Sequence, residues 1–176
     1  MTFRTLDELE RAWAALDPAP RDRGQIDSLC LRLGDGQHRA PTEVEVCVDR
    51  GVVGDRWIDG DAHRHSQVTL MSAAVARLVA HDDMPHYRSG DNFYVDLDLH
   101  EDNVPPGTRI QVGDALMRVT DEPHTGCKRF ASRFGKDALR WLSTREGRAA
   151  NMRGIHCEIL EAGRVRVGDP VVVLRD

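Results

Sequence analysis

Apolar residues recur along this chain with two different periods. In residues 5–16, Leu6, Leu9, Trp13 and Leu16 share one face of a 3.6-residue repeat, and Thr5 and Glu8 stand at capping-box spacing. That pattern predicts an amphipathic helix. Asp17-Pro18-Ala19-Pro20 ends it, because proline has no backbone N–H to continue the ladder. From Gln25 onward the period becomes two. Leu29, Leu31 and Leu33 alternate with Cys30 and Arg32 ahead of an Asp35-Gly36 turn, and Val44, Val46 and Val48 alternate with Glu45, Cys47 and Asp49. Phe93, Val95, Leu97 and Leu99 repeat the pattern, which is that of half-buried strands. Residues 67–71 predict a further short strand, residues 72–80 a helix, and residues 137–145 a helix with Leu139 and Leu142 facing inward.

One motif occurs twice. Arg109-Ile110-Gln111-Val112-Gly113-Asp114-Ala115-Leu116 and Arg164-Val165-Arg166-Val167-Gly168-Asp169-Pro170-Val171 each read as strand, Gly-Asp turn, strand. Paired units of this kind in a strand-rich chain suit a barrel, which closes its own edges. The expected class is mostly β (α+β), a closed or partly open barrel with peripheral helices. Residues 1–20 form a helical extension and residues 21–176 the barrel domain.

Length and charge narrow the function classes. At 176 residues the chain suits one core, and no apolar run approaches the roughly 18 residues that span a bilayer. The acidic first ten residues lack the layout of a secretory signal, so the expected setting is the cytoplasm, with no membrane partner. A net charge of −5 argues against non-specific nucleic-acid binding. Yet residues 124–153 hold eight Lys/Arg against Asp137 and Glu146, a local +6. Such a stretch is either a solvated helix face or a site for a small anion.

Of the four cysteines, Cys30, Cys47 and Cys157 sit in apolar, strand-like runs that suit core residues, and no CxxC pair occurs. Cys127 differs. It lies in a loop, Asp121-Glu122-Pro123-His124-Thr125-Gly126-Cys127-Lys128-Arg129, that follows a strand. A thiol acts as nucleophile, sulfur carrier or soft-metal ligand only as thiolate, which adjacent cations favour. Lys128, Arg129 and His124 are placed to supply that environment.

These residues belong to an ordered set of motifs that resembles the MOSC family, the module also found at the C-terminus of molybdenum cofactor sulfurases. The set runs from Gly51-Val52-Val53-Gly54-Asp55-Arg56 through Gln67-Val68-Thr69-Leu70 to Gly90-Asp91-Asn92-Phe93, where the family usually carries Glu at the Asp91 position. It continues with residues 105–115, Cys127 at the signature cysteine, Arg153-Gly154-Ile155 and Gly168-Asp169. A further departure is His124-Thr125-Gly126 ahead of the cysteine, where many relatives place a proline directly before it. The resemblance implies a barrel and a cysteine that carries sulfur or ligates molybdenum in a pterin-phosphate cofactor. It also implies an electron-donor or sulfur-donor protein as partner, and for some relatives the reduction of N-hydroxylated bases or amines. The phosphate lining is expected from Arg56, Arg64, Lys128, Arg129, Arg133 and Arg153, with Asn92 beside them. Pyridoxal phosphate is not expected, since Lys128 and Lys136, the only lysines, lack an aldimine setting.

Two rival readings come from other classes. One is a binding or delivery module for a small anion, without catalysis. The other is a metal-dependent hydrolase built on His63 and His65, whose spacing places both rings on one side of a strand, with His81, Asp82, Asp83 and His86 nearby.

Overall fold

In chain order, the computed structural model, which describes residues 3–60, 63–80 and 84–175, contains α1 (Leu6–Ala14), β1 (Arg23–Leu29), β2 (Leu31–Gly34), β3 (Gln37–Arg39), β4 (Glu43–Cys47) and β5 (Gly51–Val52). There follow β6 (Val68–Ser72), α2 (Ala73–Val79), β7 (Phe93–Asp96), β8 (Arg109–Val112) and β9 (Ala115–Val119). The chain continues through α3 (Lys128–Phe134), α4 (Lys136–Leu142), α5 (Arg145–Ala149), β10 (Ile155–Glu161), β11 (Gly163–Arg166) and β12 (Pro170–Leu174). His81, Asp82 and Asp83 lie outside the described residues.

Seven strands close a barrel in the order β1-β12-β8-β9-β10-β6-β7. Neighbours are antiparallel except β6 and β7, which run parallel because the connection between them passes through α2. Strand alternation sorts the side chains. Leu70, Phe93, Val95, Ile110, Met117 and Ile159 belong to the barrel core and are fully buried. Met71 and Tyr94 occupy the alternate positions and are equally buried. They pack instead with Leu9, Val75, Phe130, Phe134 and Trp141, so the helices shield this side of the barrel. Burying each such large side chain contributes about 1.5–3 kcal/mol.

The helices correct several expected boundaries. α1 starts at the Thr5–Glu8 capping box but stops at Ala14, leaving Leu16 41% exposed. The helix expected over residues 137–145 is two: α4 ends at Leu142, and Thr144 Oγ1 caps α5 by accepting from Gly147 N at 3.0 Å. The alternation through Leu29–Leu33 is likewise broken at Cys30, after which β2 pairs with β3 as a separate hairpin.

The twice-occurring motif also divides. β8 and β9 form the expected hairpin around Gly113-Asp114. β11 and β12 do not pair with each other: β11 joins β4 and β5 in a small sheet, and β12 closes the barrel. The two copies nevertheless meet. Gly113 N donates to Pro170 O and Asp114 N to Arg164 O, each at 3.0 Å. Gly113 has φ +54, and a Cβ there would lie 2.8 Å from Arg164 O, so the contact needs glycine. Gln67 makes a second tie, donating to Val48 O and accepting from Ile159 N at 2.8 Å. No helix among the described residues is long and apolar enough to cross a membrane.

Candidate functional site

The β2–β3 hairpin, the turn after Gly54, the turn of residues 86–90 and the start of α3 surround a cleft of about 210 Å³. Arg32, Arg56, Arg129, Arg133 and Arg153 line it beside Cys127, and among the described residues no carboxylate does. It adjoins an outer groove to which Arg56, Arg129 and Arg133 also contribute. Cys127 is exposed and is the residue from which α3 begins.

Two buried carboxylates behind the cleft hold two of these arginines. Asp55, 2% exposed, accepts from Arg32 Nε at 3.0 Å and from Arg32 Nη2 at 2.7 Å. Its remaining capacity goes to the backbone N–H groups of Arg32 and Trp57 and to Asn92 Nδ2. Asp91, fully buried, accepts from Arg153 Nη1 at 2.7 and 2.8 Å and from Ser89 Oγ at 2.8 Å. Burial alone would raise the Asp91 carboxyl, but the charge of Arg153 and the hydrogen bonds from Arg153 and Ser89 outweigh it and hold the group below its ordinary range. Arg153 also lies over the Phe130 ring at 5.2 Å.

The other cations are less compensated. Burial, with Arg88 and Arg129 close by, lowers the Arg133 pKa. Burial and the charges of Arg133, Arg88 and Arg32 push His38 down to about 4, so its ring is neutral at pH 7. Asp35 is the one carboxylate that lines the outer groove with Arg56, Arg129 and Arg133 among the described residues, and this excess of like charge creates a positive potential that attracts an anion.

Of the expected site residues, the structure brings Cys127, Arg56, Arg129, Arg133 and Arg153 together. It places three others elsewhere. Arg64 points to Glu158 at 3.7 Å. Lys128 is exposed and does not line the cleft. Asn92 is fully buried behind it, bonded to Thr69, Asp55 and the Cys30 carbonyl, and acts by fixing Asp55. His124 is also turned away from Cys127. Its Nε2 faces Asp91 at 3.5 Å, and its ring stacks at a tilt on His156, 4.4 Å between centroids. Burial first, then the charge of Arg153, keeps it neutral, so it lends the thiol no positive charge.

Sequence reasoning missed Arg32 and His38. Arg32 shows only as the polar position between Leu31 and Leu33, and His38 belongs to a strand of three residues. The histidine-based metal site is not supported. His63 precedes and His65 lies within a 3-10 turn, Arg64–Ser66, rather than sharing a strand face, with ring centroids 5.2 Å apart. Among the described residues no three metal-ligating side chains gather.

Cys47 is corrected too. It ends β4 only partly buried, and the Asp49 backbone, together with Arg50, lowers its pKa. Burial instead pushes Cys30 and Cys157 up to about 12. Limiting alkylation with peptide mapping is expected to label Cys127 and Cys47 and to spare Cys30 and Cys157. Labelling of Cys30 ahead of Cys127 would contradict this arrangement.

The sequence signature of the MOSC domain matches residues 51–172. The chain belongs to the MOSC domain family. Its fold is similar to that of the YuaD protein from Bacillus subtilis, with TM-score 0.65 and 15% identity over 89% of this chain and 98% of that one. It is also similar to YiiM from Escherichia coli, with TM-score 0.59 and 17% identity over 88% of this chain and 70% of that one. YiiM from Geobacillus stearothermophilus gives the same score and identity over 86% and 75%. Comparison with the sequences of curated proteins gives no match.

Proposed function

We propose that the arginine-lined cleft holds the phosphate-bearing molybdenum cofactor, with the Cys127 thiolate as its soft ligand. The observation that carries this reading is the meeting of five arginines and an exposed cysteine in a cleft that no carboxylate lines among the described residues. The donor set fits the group. Guanidinium forks match phosphate oxygens, and a thiolate matches molybdenum or sulfane sulfur. Two buried polar atoms of cleft residues, Arg153 Nε and His38 Nδ1, lack protein partners, as expected where a polar ligand completes the site. Arg56, Arg129 and Arg133 would bind the phosphate, while Arg32 and Arg153, held by Asp55 and Asp91, would orient the rest. When bound, the cofactor supplies two-electron chemistry at its metal. The reaction this reading favours is reduction of N-hydroxylated bases or amines, with electrons from a donor protein. Sulfur delivery from Cys127 is the other use of the same thiolate.

Protein purified from molybdenum-replete cells is expected to carry the metal, and Cys127→Ser to lose at least nine-tenths of it, because a hydroxyl is a harder and far less acidic ligand. The unfolding midpoint should hardly move, since surface changes of this kind stay within about 0.5 kcal/mol. Sulfate binding to the metal-free protein should weaken about tenfold or more in Arg129→Ala and in Arg133→Ala. Full molybdenum loading of Cys127→Ser would overturn the assignment. Tight sulfate binding without any molybdenum would instead favour a plain anion-binding module.

A further inference from the structure

On the far side of the Arg153–Asp91 pair lies a second cavity, about 280 Å³, whose chemistry is the reverse of the cleft's. Among the described residues its lining includes Glu101, Asp121 and Glu122 and no lysine or arginine. The loop of residues 121–127 folds over β10 here and brings His124 onto His156. Both imidazoles line the cavity, and the Nδ1 atom of each is buried without a partner.

The protonation of His124 follows from its surroundings. Its Nε2 faces Asp91 Oδ1, and an ionised carboxylate only accepts, so the single proton of the neutral ring belongs on Nε2. That leaves a lone pair on Nδ1. Gly154 keeps the space beside this atom open: φ there is +101, and a Cβ would stand 3.1 Å from His124 Nδ1 and 2.4 Å from the Leu70 carbonyl oxygen. The buried acceptor therefore needs a donor, and the cavity rim carries carboxylates. Burial lowers the His156 pKa, with the charges of Asp91 and Glu122 opposing it. Asp121 is partly engaged, at 3.9 Å from His65 Nδ1. Beneath the polar groups Val104, Val119 and Ile155 are buried and apolar.

We propose that this cavity is a second binding site, one for a small organic cation of amidine or amine type. The N–H groups of such a cation donate to His124 Nδ1 and face the carboxylate of Glu122, while its apolar body rests on Val119 and Ile155. The site is independent of whatever occupies the arginine-lined cleft.

Benzamidine, flat, cationic and rich in N–H donors, is the probe. Calorimetric titration into the full chain is expected to show saturable one-site binding, with benzoate, its anionic counterpart of the same shape, at least tenfold weaker. The imidazole ¹⁵N signals of His124 should shift with benzamidine and stay put with benzoate. Glu122→Gln should weaken binding about threefold, as an exposed charge contact does. His124→Gln should weaken it tenfold or more, and Arg129→Ala should leave it unchanged. No saturable binding, equal binding of the two probes, or unmoved His124 signals would each overturn the proposal. Should His124→Gln fail to fold, the ¹⁵N signals of the unaltered chain decide.

Discussion

Replacing Asp91 by alanine is expected to lower the unfolding free energy by about 3–5 kcal/mol, the usual cost of removing one partner from a buried ion pair. The Arg153 side chain is only 12% exposed, so without Asp91 it becomes a buried charge with no counter-charge. Ser89 Oγ loses its carboxylate acceptor in the same step. For a chain of this size the melting temperature should drop by roughly 6–20 °C. The double variant with Arg153→Met provides the control. An apolar side chain of similar length asks for no partner, so the pair of changes should cost much less than the sum of the single ones. A loss under about 1 kcal/mol in Asp91→Ala, by urea unfolding, would show that the pair does not hold this wall of the cleft. Since Arg153 is also a cleft residue, the measurement separates the wall's stability from its binding role.

Mild acid should destabilise the protein well before its carboxylates titrate. His38, His86, His124 and His156 all have pKa values below the ordinary histidine range, and burial is the first cause in each case. Above a pH of about 6.5 these rings are neutral in both states and stability is unaffected. Below it the unfolded chain takes up protons that the folded chain refuses, so stability falls until the folded pKa is reached. Each such ring contributes at most about 1.4 kcal/mol per pH unit. His124 and His156 should dominate because His38 and His86 are more open to water and more screened. Asp91 acts in a lower window: its depressed pKa adds stability above about pH 4, lost as pH falls through the folded value. The urea midpoint should therefore be level from pH 8 to 7 and decline between 6.5 and 5. A midpoint unchanged between pH 7.5 and 5 would contradict it, and His124→Gln should flatten the decline.

Much of the β structure was legible because several strands are half buried. Val44 and Val46 of the small sheet and Ile110 and Val112 of the barrel alternate with polar residues, and each ends up within 5% of full burial. Alternation does not say which sheet a strand joins, and β11, identical in pattern to β8, pairs elsewhere. α3 was hidden by its own cysteine. Phe130 and Phe134 stand at helical spacing with their rings 4.7 Å apart, but the glycine and charges around Cys127 read as loop. In the cleft, the motif-borne arginines were recognisable, whereas Arg32 was not, because its role comes from a carboxylate 23 positions away in the chain. Arg64 and Asn92 mark the opposite error. Sharing a motif's neighbourhood does not tell a side chain facing the cleft from one facing away, or one filling it from one bracing it.

β12 lies between β1 and β8, so the first barrel strand is joined to a middle one by the strand that comes last among the seven. During synthesis, until residues 170–174 have emerged, β1 and β8 each present an open edge that no earlier segment can cover. The barrel cannot then be completed progressively from its first strand, and its closure is a late, long-range event that resembles fastening a clasp. The exposed interval invites pairing with neighbouring chains. Substitutions in Val171 or Val173 should therefore reduce the yield of soluble protein.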